Sequence, residues 1–551
     1  MKHIVTLALI LAGFATPQAQ IVQVKDISTG FGTESGNPRE LFDYNGTLFF
    51  RAANGQVSSQ IGLWKSDGTE NGTVIVKDVD YSTQAYFGNG YNFTPFNGAL
   101  YFTGGTTSFN NGTVNVELWK TDGTTDGTVR VKDLHPGLGS SNPNLLTILN
   151  PTTMLFQAND GTGGMELWKT DGTSDGTVNI TDFQGNGNTI SWMNKLGSEV
   201  IMGQNLYYMG IVFPLGNEIY KTNGDVGNNT FVKELNGDII NGVDKYAVNA
   251  LGTIFFIGNN GSTGWELFKT DGTAAGTVLV KDIKPGSQSS GIPYQIVTLG
   301  NNIYFATNTN DSRLWKSDGT AAGTVAIPLP PGVVASNTYS YVTSANGLVY
   351  FYANEGTTWD LYATNGTVTT KLLDCNASSA SLLSFASEKC FVEYNGFVYF
   401  AVDSDGDGKK EFWRTNGTAA GTVLVAGLFT PFVNPQSVSY ITVSNNKIFF
   451  AGTLNDGNEL MMFDPSTLDT DQAPDADALT VYPNPSNGSM RVSYNFTGPA
   501  AFAVFDLLGK EVSRGAVNGN EIKTDLNNGM YVLKINYQDV TYTRKIVIVN
   551  Q

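Results

Sequence analysis

"ELWKTDGTTDGTVRVKD", Glu117 to Asp133, is one of nine near-copies of a single phrase in this 551-residue chain. The others start at Gly62, Glu166, Glu218, Glu266, Arg313, Asp360 and Glu411, and a ninth, "ELMMFDPS" from Glu459, stops before its DGT turn. They recur about every 47 to 55 residues, a period that fits propeller blades better than helical repeats. Each unit reads as four short strands. Asn-Gly pairs at Asn45-Gly46, Asn97-Gly98, Asn346-Gly347 and Asn395-Gly396 favour the positive φ angles of a tight hairpin between the first two strands.

Alternation in the third strand adds to this. In "ELWK", Leu118 and Trp119 point to opposite faces and both are large and apolar, so the strand must be covered on both sides. Sheets stacked face to face around an axis provide that cover. The chain after the leader begins "IVQVKDISTG", which matches a fourth strand such as "VLVKDIKPG" from Val278, and the ninth unit lacks that strand. An N-terminal segment that completes the last repeat closes a ring, whereas a linear solenoid would need caps. The expected fold is all-β: one closed β-propeller of about nine four-stranded repeats, with eight as the alternative count. The Asp of each DGT (Asp67, Asp122, Asp171, Asp271, Asp318) reads as an Asx-turn acceptor and the Gly as a left-handed residue. One carboxylate per loop is too few for tight calcium binding. The unit resembles the ELWxxDGT repeat of secreted bacterial proteins over roughly residues 21–464; that family supplies no catalytic residues to carry over.

Both ends of the chain carry targeting features. Lys2, the apolar run Ile4 to Phe14 and "ATPQAQ" have the layout of a secretory signal peptide over residues 1–19. No later run is apolar enough for a spanning helix, so none is expected in the mature chain. The propeller is expected over 20–464 and a polar linker over 465–478. A small C-terminal β-sandwich is expected over 479–551, from alternating strands separated by Asn, Gly and Pro turns. This last segment resembles the type A C-terminal sorting domain of type IX secretion substrates. The matching residues are Tyr482, Pro483, Asn484 and Pro485 with Gly488, then "DLLGKEV" with Gly509 and Lys510. "GMYVLKI" with Gly529 and Tyr531 follows, and "RKIVIV" closes the series. The resemblance implies the type IX machinery as partner, passage across the outer membrane, and release or attachment at the cell surface.

Chemistry is harder to place. A net charge of −17 disfavours nucleic acid, whose phosphates need a basic surface, and suits a cation. "DSDGDGKKE" sets Asp403, Asp405 and Asp407 in alternation around Gly408, with Glu411 at the ninth position. Such a loop suits a structural Ca2+, and a solvated hairpin is the competing reading. It resembles the DxDxDGxxD loops of integrin-type propellers but carries Arg414 at position twelve, where an EF-hand has a bidentate Glu. His135 is the only histidine after the leader, which leaves His-dependent triads and multi-His zinc sites without their parts. Cys375 and Cys390, in an exported chain, are expected to pair, a link worth about 3 kcal/mol. Tyr81, Tyr86, Phe87 and Tyr91 form an aromatic stretch suited to stacking on sugar faces or anchoring a partner, or else to packing between blades. The expected role is therefore a secreted or surface binding and adhesion module for glycan or protein. A polysaccharide hydrolase or lyase with paired carboxylates, and a purely structural surface protein, are the alternatives.

Overall fold

The computed structural model describes residues 21–550 apart from 28–34, 54–60, 80–92, 108–113, 163, 182–199, 213–215, 237–241, 251, 288, 291–295, 308–313, 335–341, 356–357, 376–390, 426–434, 454–456, 468–480, 483–485, 493–499, 507–509, 518–519 and 538–539. The leader, the aromatic stretch at Tyr81 to Tyr91, Cys390, Pro483 to Pro485 and Gly509 thus lie outside the described residues. The chain forms two compact units, bounded at Gln20–Pro465 and Ser466–Gln551.

In the larger unit the described residues form nine consecutive antiparallel sheets, one for each copy of the phrase. The first is typical: Arg39–Tyr44, Thr47–Ala53, Ile61–Ser66 and Val74–Lys77 pair in chain order. Asn45 at φ 54° and Gly46 at φ 78° make the first hairpin, as an Asn-Gly turn requires. Leu118 and Trp119 are buried on opposite faces of their strand, at 0% and 7% exposure. Trp119 packs with Phe49 and Leu63 of the first repeat, while Leu118 packs with Phe156 and Trp168 of the third. Each third strand is therefore apolar on both faces because a neighbouring sheet covers each face.

The ninth sheet takes Gln436–Ser444, Lys447–Thr453 and Asn458–Phe463 from the end of the unit and Ile21–Lys25 from its start. Ile21 lies opposite Phe463, Val22 opposite Met462 and Gln23 opposite Met461. The seventh departs from the pattern with a fifth strand, Val333–Val334, beside Leu348–Glu355.

Packing between the ninth and first sheets repeats that between other neighbours. Val24, Ile27, Phe449 and Leu460 share one apolar cluster with Leu41, Leu48, Phe50 and Trp64. The Thr442 hydroxyl donates to Leu41 O at 3.0 Å. Lys25 Nζ donates to Thr73 O at 3.0 Å, just as Lys77 Nζ donates to Thr128 O at 2.6 Å one repeat later.

The DGT turns are small hydrogen-bonded units. Asp171 Oδ1 accepts from the Thr173 N–H at 2.8 Å and its hydroxyl at 2.7 Å, and the Gly176 N–H donates to that hydroxyl at 2.9 Å. These bonds hold the Asp171 carboxyl below its ordinary pKa, the Thr173 hydroxyl contributing most. Asp67, Asp122, Asp271 and Asp318 make the same bonds. At four of these five turns the preceding Lys reaches the turn of the next repeat, as Lys120 Nζ donates to Gly172 O at 2.9 Å.

The smaller unit has two sheets around one core of Met490, Val492, Phe502, Val504, Leu533, Ile535, Ile546 and Ile548. The Ser486 N–H donates to Val547 O and the Val549 N–H to Ser486 O, at 2.9 and 2.8 Å, which stitches the C-terminal strand to the segment after the YPNP box. Among the described residues no helix is long and apolar enough to cross a membrane.

Gly172 has φ 95°, and a Cβ there would fall 2.2 Å from the hydroxyl of Tyr101, itself 1% exposed. Gly172→Ala should therefore cost about 2 kcal/mol or more, combining left-handed strain with overpacking. Chemical denaturation of the variant checks this, and an unchanged midpoint would contradict the role given to the turn.

Candidate functional site

In a sheet whose strands pair in chain order, the first-to-second and third-to-fourth connections share one end. Here that end carries the Asn-Gly and DGT turns. The opposite end carries the second-to-third hairpins and the connections from each repeat to the next. The acidic residue that opens the phrase stands at this second end, at the head of the third strand.

That residue is buried. Glu117, Glu218, Glu266 and Glu459 are 0–2% exposed, and their carboxylates accept backbone N–H groups from the connection to the next repeat. Glu117 Oε2 accepts from Leu134 N at 3.0 Å and from the Ser141 hydroxyl at 2.6 Å, and Oε1 accepts from Ser141 N at 3.3 Å. Glu266 accepts from Ile283 N at 3.1 Å, Lys284 N at 3.4 Å and Ser290 N at 3.0 Å. Glu218 accepts from Leu235 N at 3.1 Å. At Glu459 the donors come from the other end of the chain: Ile27 N at 3.0 Å and Gly36 N at 2.6 Å. Ile27 follows Lys25-Asp26 as Ile283 follows Lys281-Asp282 and Leu134 follows Lys132-Asp133. Asp360 is a shorter version, taking Cys375 N at 2.9 Å and Lys371 Nζ at 2.9 Å.

Burial pushes these carboxyls up: Glu218 and Glu266 to about 7, and Glu117 and Glu459 above their ordinary range. Hydrogen bonds from the connection pull the other way. The structural roles of the Leu, the aromatic and the DGT are legible in the sequence; that of this Glu is not. Its repetition beside a Leu buried on both sides was the available signal.

Glu411 occupies the same place in the eighth repeat and also ends the aspartate loop. Asp403 and Glu411 are 1% and 5% exposed, while Asp405 and Asp407 face solvent. One carboxylate oxygen from each of the four lies within 4.8 Å of the others. Local bonds hold the loop: Gly406 N and Gly408 N donate to the two oxygens of Asp403 at 2.7 and 2.9 Å. Ser404 donates to Glu411 Oε2 through its N–H at 3.0 Å and its hydroxyl at 2.9 Å. Gly406 and Gly408 have φ of 82° and 86°, which the tight alternation demands. Burial first, and then the charge of Asp405, push the Glu411 carboxyl up. Lys409 Nζ stands 4.0 Å from Asp407 Oδ2. Arg414, at the twelfth position, lies over the Phe397 ring at 4.4 Å. Convergent carboxylate oxygens of this kind suit a hard cation, which would offset their mutual repulsion.

The remaining sequence-derived residues are placed as follows. His135 packs against Gly139 and Gly161, its Nδ1 3.4 Å from Ser140 O, in a connection between repeats. Cys375 is buried at 1% exposure. In the smaller unit Gly488 has φ 94°, and a Cβ there would meet Thr524 O at 2.4 Å. Lys510 N donates to Asp506 Oδ1 at 2.9 Å, the Tyr531 hydroxyl donates to Asn527 O at 2.9 Å, and Gly529 pairs with Ile548. These residues shape turns and strand ends; Tyr482 is 47% exposed.

Residues 480–549 match the family described as secretion system C-terminal sorting domain. The tail is thus a sorting domain of the type IX route, which indicates export to the medium or cell surface. No curated protein matches the chain. Among solved structures the chain is similar to the β-propeller domain of the trilobed protease from Pyrococcus furiosus, at 10% identity and TM-score 0.32, over 58% of this chain and 91% of that one. An uncharacterized protein from Listeria monocytogenes matches at 11% identity and TM-score 0.30, over 61% and 94%. The extracellular domain of a putative one-component system from B. thetaiotaomicron matches at 10% and 0.26, over 93% and 80%.

Glu266→Ala would take their side-chain acceptor from the half-buried Ile283 and Lys284 N–H groups, while Ser290 N keeps Trp265 O at 3.1 Å. It should lower stability by about 1–2 kcal/mol, the cost of leaving partly buried amides without their acceptor. Denaturant melts of the variant measure this, and a loss no larger than that of a surface substitution would contradict the anchoring role.

Proposed function

We propose that this protein is a secreted or cell-surface binding and adhesion module of the ELWxxDGT-repeat type. Its nine sheets close into one propeller, residues 1–19 act as a signal peptide, and residues 479–551 send it through the type IX machinery. The sorting-domain match at 480–549 carries the export half of this reading. The binding half is supported by the arrangement of the sheets. One end is taken up by near-identical turns, and the other carries connections that differ from repeat to repeat, where recognition is free to vary. Tyr81, Tyr86, Phe87 and Tyr91 belong to such a connection, between the first and second repeats, and are the proposed contacts for a glycan or protein ligand.

Asp403, Asp405, Asp407 and Glu411 are proposed to hold a structural Ca2+, supported by the convergence of their oxygens within 4.8 Å. Cys375 and Cys390 are proposed to form a disulfide after export, which non-reducing peptide mapping reads directly.

Deleting Leu479 to Gln551 in the native host should leave the protein inside the cell envelope; normal arrival at the surface or in the medium would overturn the export reading. A glycan-array screen of the purified protein, with calcium and then with EDTA, tests the ligand class. Selective binding that weakens in EDTA and in Asp405→Ala is expected, while a silent array would remove glycans as ligands.

A further inference from the structure

The buried glutamates at the repeat connections can be compared oxygen by oxygen. Glu117, Glu266 and Glu459 each offer both oxygens to donors. Glu218 does not. Its Oε2 accepts from Leu235 N, but its Oε1 is buried without a hydrogen-bond partner, and the residue is 0% exposed. A charged oxygen in that position is costly, because burial removes water and only the Asn236 N–H, outside hydrogen-bond geometry, pulls against that cost.

The groups facing Glu218 relieve this charge only in part. The acid Glu234, on the connection that Glu218 anchors, adds repulsion, while the peptide N–H groups of Leu235 and Asn236 attract. Tyr220, on its own strand, is neutral, and burial and the nearby Glu218 raise its phenol further. The two lysines nearest in sequence are turned to the following repeat: Lys221 Nζ donates to Gly272 O at 2.9 Å and Lys233 Nζ to Thr277 O at 2.6 Å. A proton from solvent would convert the anionic carboxylate to a neutral acid and leave Oε2 free to accept from Leu235 N.

We propose that the joint between the fourth and fifth repeats is proton-operated: a proton on Glu218 seats the 234–236 connection against its sheet, and loss of that proton loosens it. Burial raises this carboxyl from its ordinary 4.5 to about 7. A folded value above the unfolded one means that the contribution to stability is complete below about pH 4.5. It is lost as pH rises through about 7. The joint is therefore tight in mildly acidic surroundings and loose in alkaline ones, with the change falling where an exported protein meets it.

Hydrogen–deuterium exchange of the full mature protein, from about pH 5.5 to 8.5 and corrected for intrinsic rates, tests this. Protection of the peptide holding Leu235 should fall by up to about tenfold per pH unit above the midpoint. The peptide holding Leu134, anchored by both oxygens of Glu117, should change less. Glu218→Gln, which places a neutral group at the orphaned position, should flatten the profile. A flat wild-type profile, or an unchanged slope in Glu218→Gln, would overturn the proposal. Should that variant fail to fold, Glu234→Gln serves instead. Removing the neighbouring charge should move the wild-type midpoint to lower pH, and an unmoved midpoint would overturn the proposal equally.

Discussion

A carboxylate buried at the head of the third strand, accepting backbone N–H groups of the chain as it leaves for the next repeat, recurs in five of the nine repeats, at Glu117, Glu218, Glu266, Asp360 and Glu459, and organises the larger unit. Stacked sheets can slide and splay unless something fixes the connection between them. A short irregular segment has no ladder to satisfy its amides, and buried amides must find acceptors. Glu117, Glu266 and Glu459 meet that need from a fixed point on a strand. The lysines act at the other end, where Lys65, Lys120 and Lys269 each reach the turn of the following repeat. The second, fourth and fifth sheets are thus tied to their successors at both ends as well as packed through their apolar faces.

The same carboxylate makes the two ends of the repeat unit one structure. Glu459 is bonded to Ile27 and Gly36 as Glu266 is bonded to Ile283 and Ser290, so the N-terminal strand enters the ninth sheet as a standard fourth strand. That strand is held by ladder bonds, by the Glu459 anchor, and by Lys25 reaching the first repeat. These are many modest interactions of about 1 kcal/mol each, and together they offset the entropy of bringing distant chain ends together.

Much of this was legible in the sequence, because the information repeats. Asn-Gly pairs specify hairpins, Leu-Trp pairs specify two-sided burial, and the orphan strand "IVQVKD" matches the place where the ninth repeat breaks off. The role of the phrase's Glu was not legible, since an acidic residue at a strand head ordinarily reads as solvated. Only its donors, 17 or more residues away at Leu134 and Ser141, reveal it as buried. The alternation at Asp403 to Asp407 announced a tight carboxylate loop, yet the sequence did not show that Glu411 combines a loop position with the repeat's buried acid. Ligand contacts are least legible, because recognition depends on how the ends of different repeats come together.

The central claim is that Ile21–Lys25 completes the ninth sheet. Val22 and Met462 face each other across that pairing. Opposed residues in an antiparallel ladder lie about 4.5 to 5.5 Å apart, within reach of a disulfide. Val22→Cys with Met462→Cys, mapped by peptide mass after oxidation, is the direct measurement. The account predicts that the two cysteines cross-link in the folded protein and raise its Tm. Two thiols that stay free in a folded, oxidised sample would contradict it.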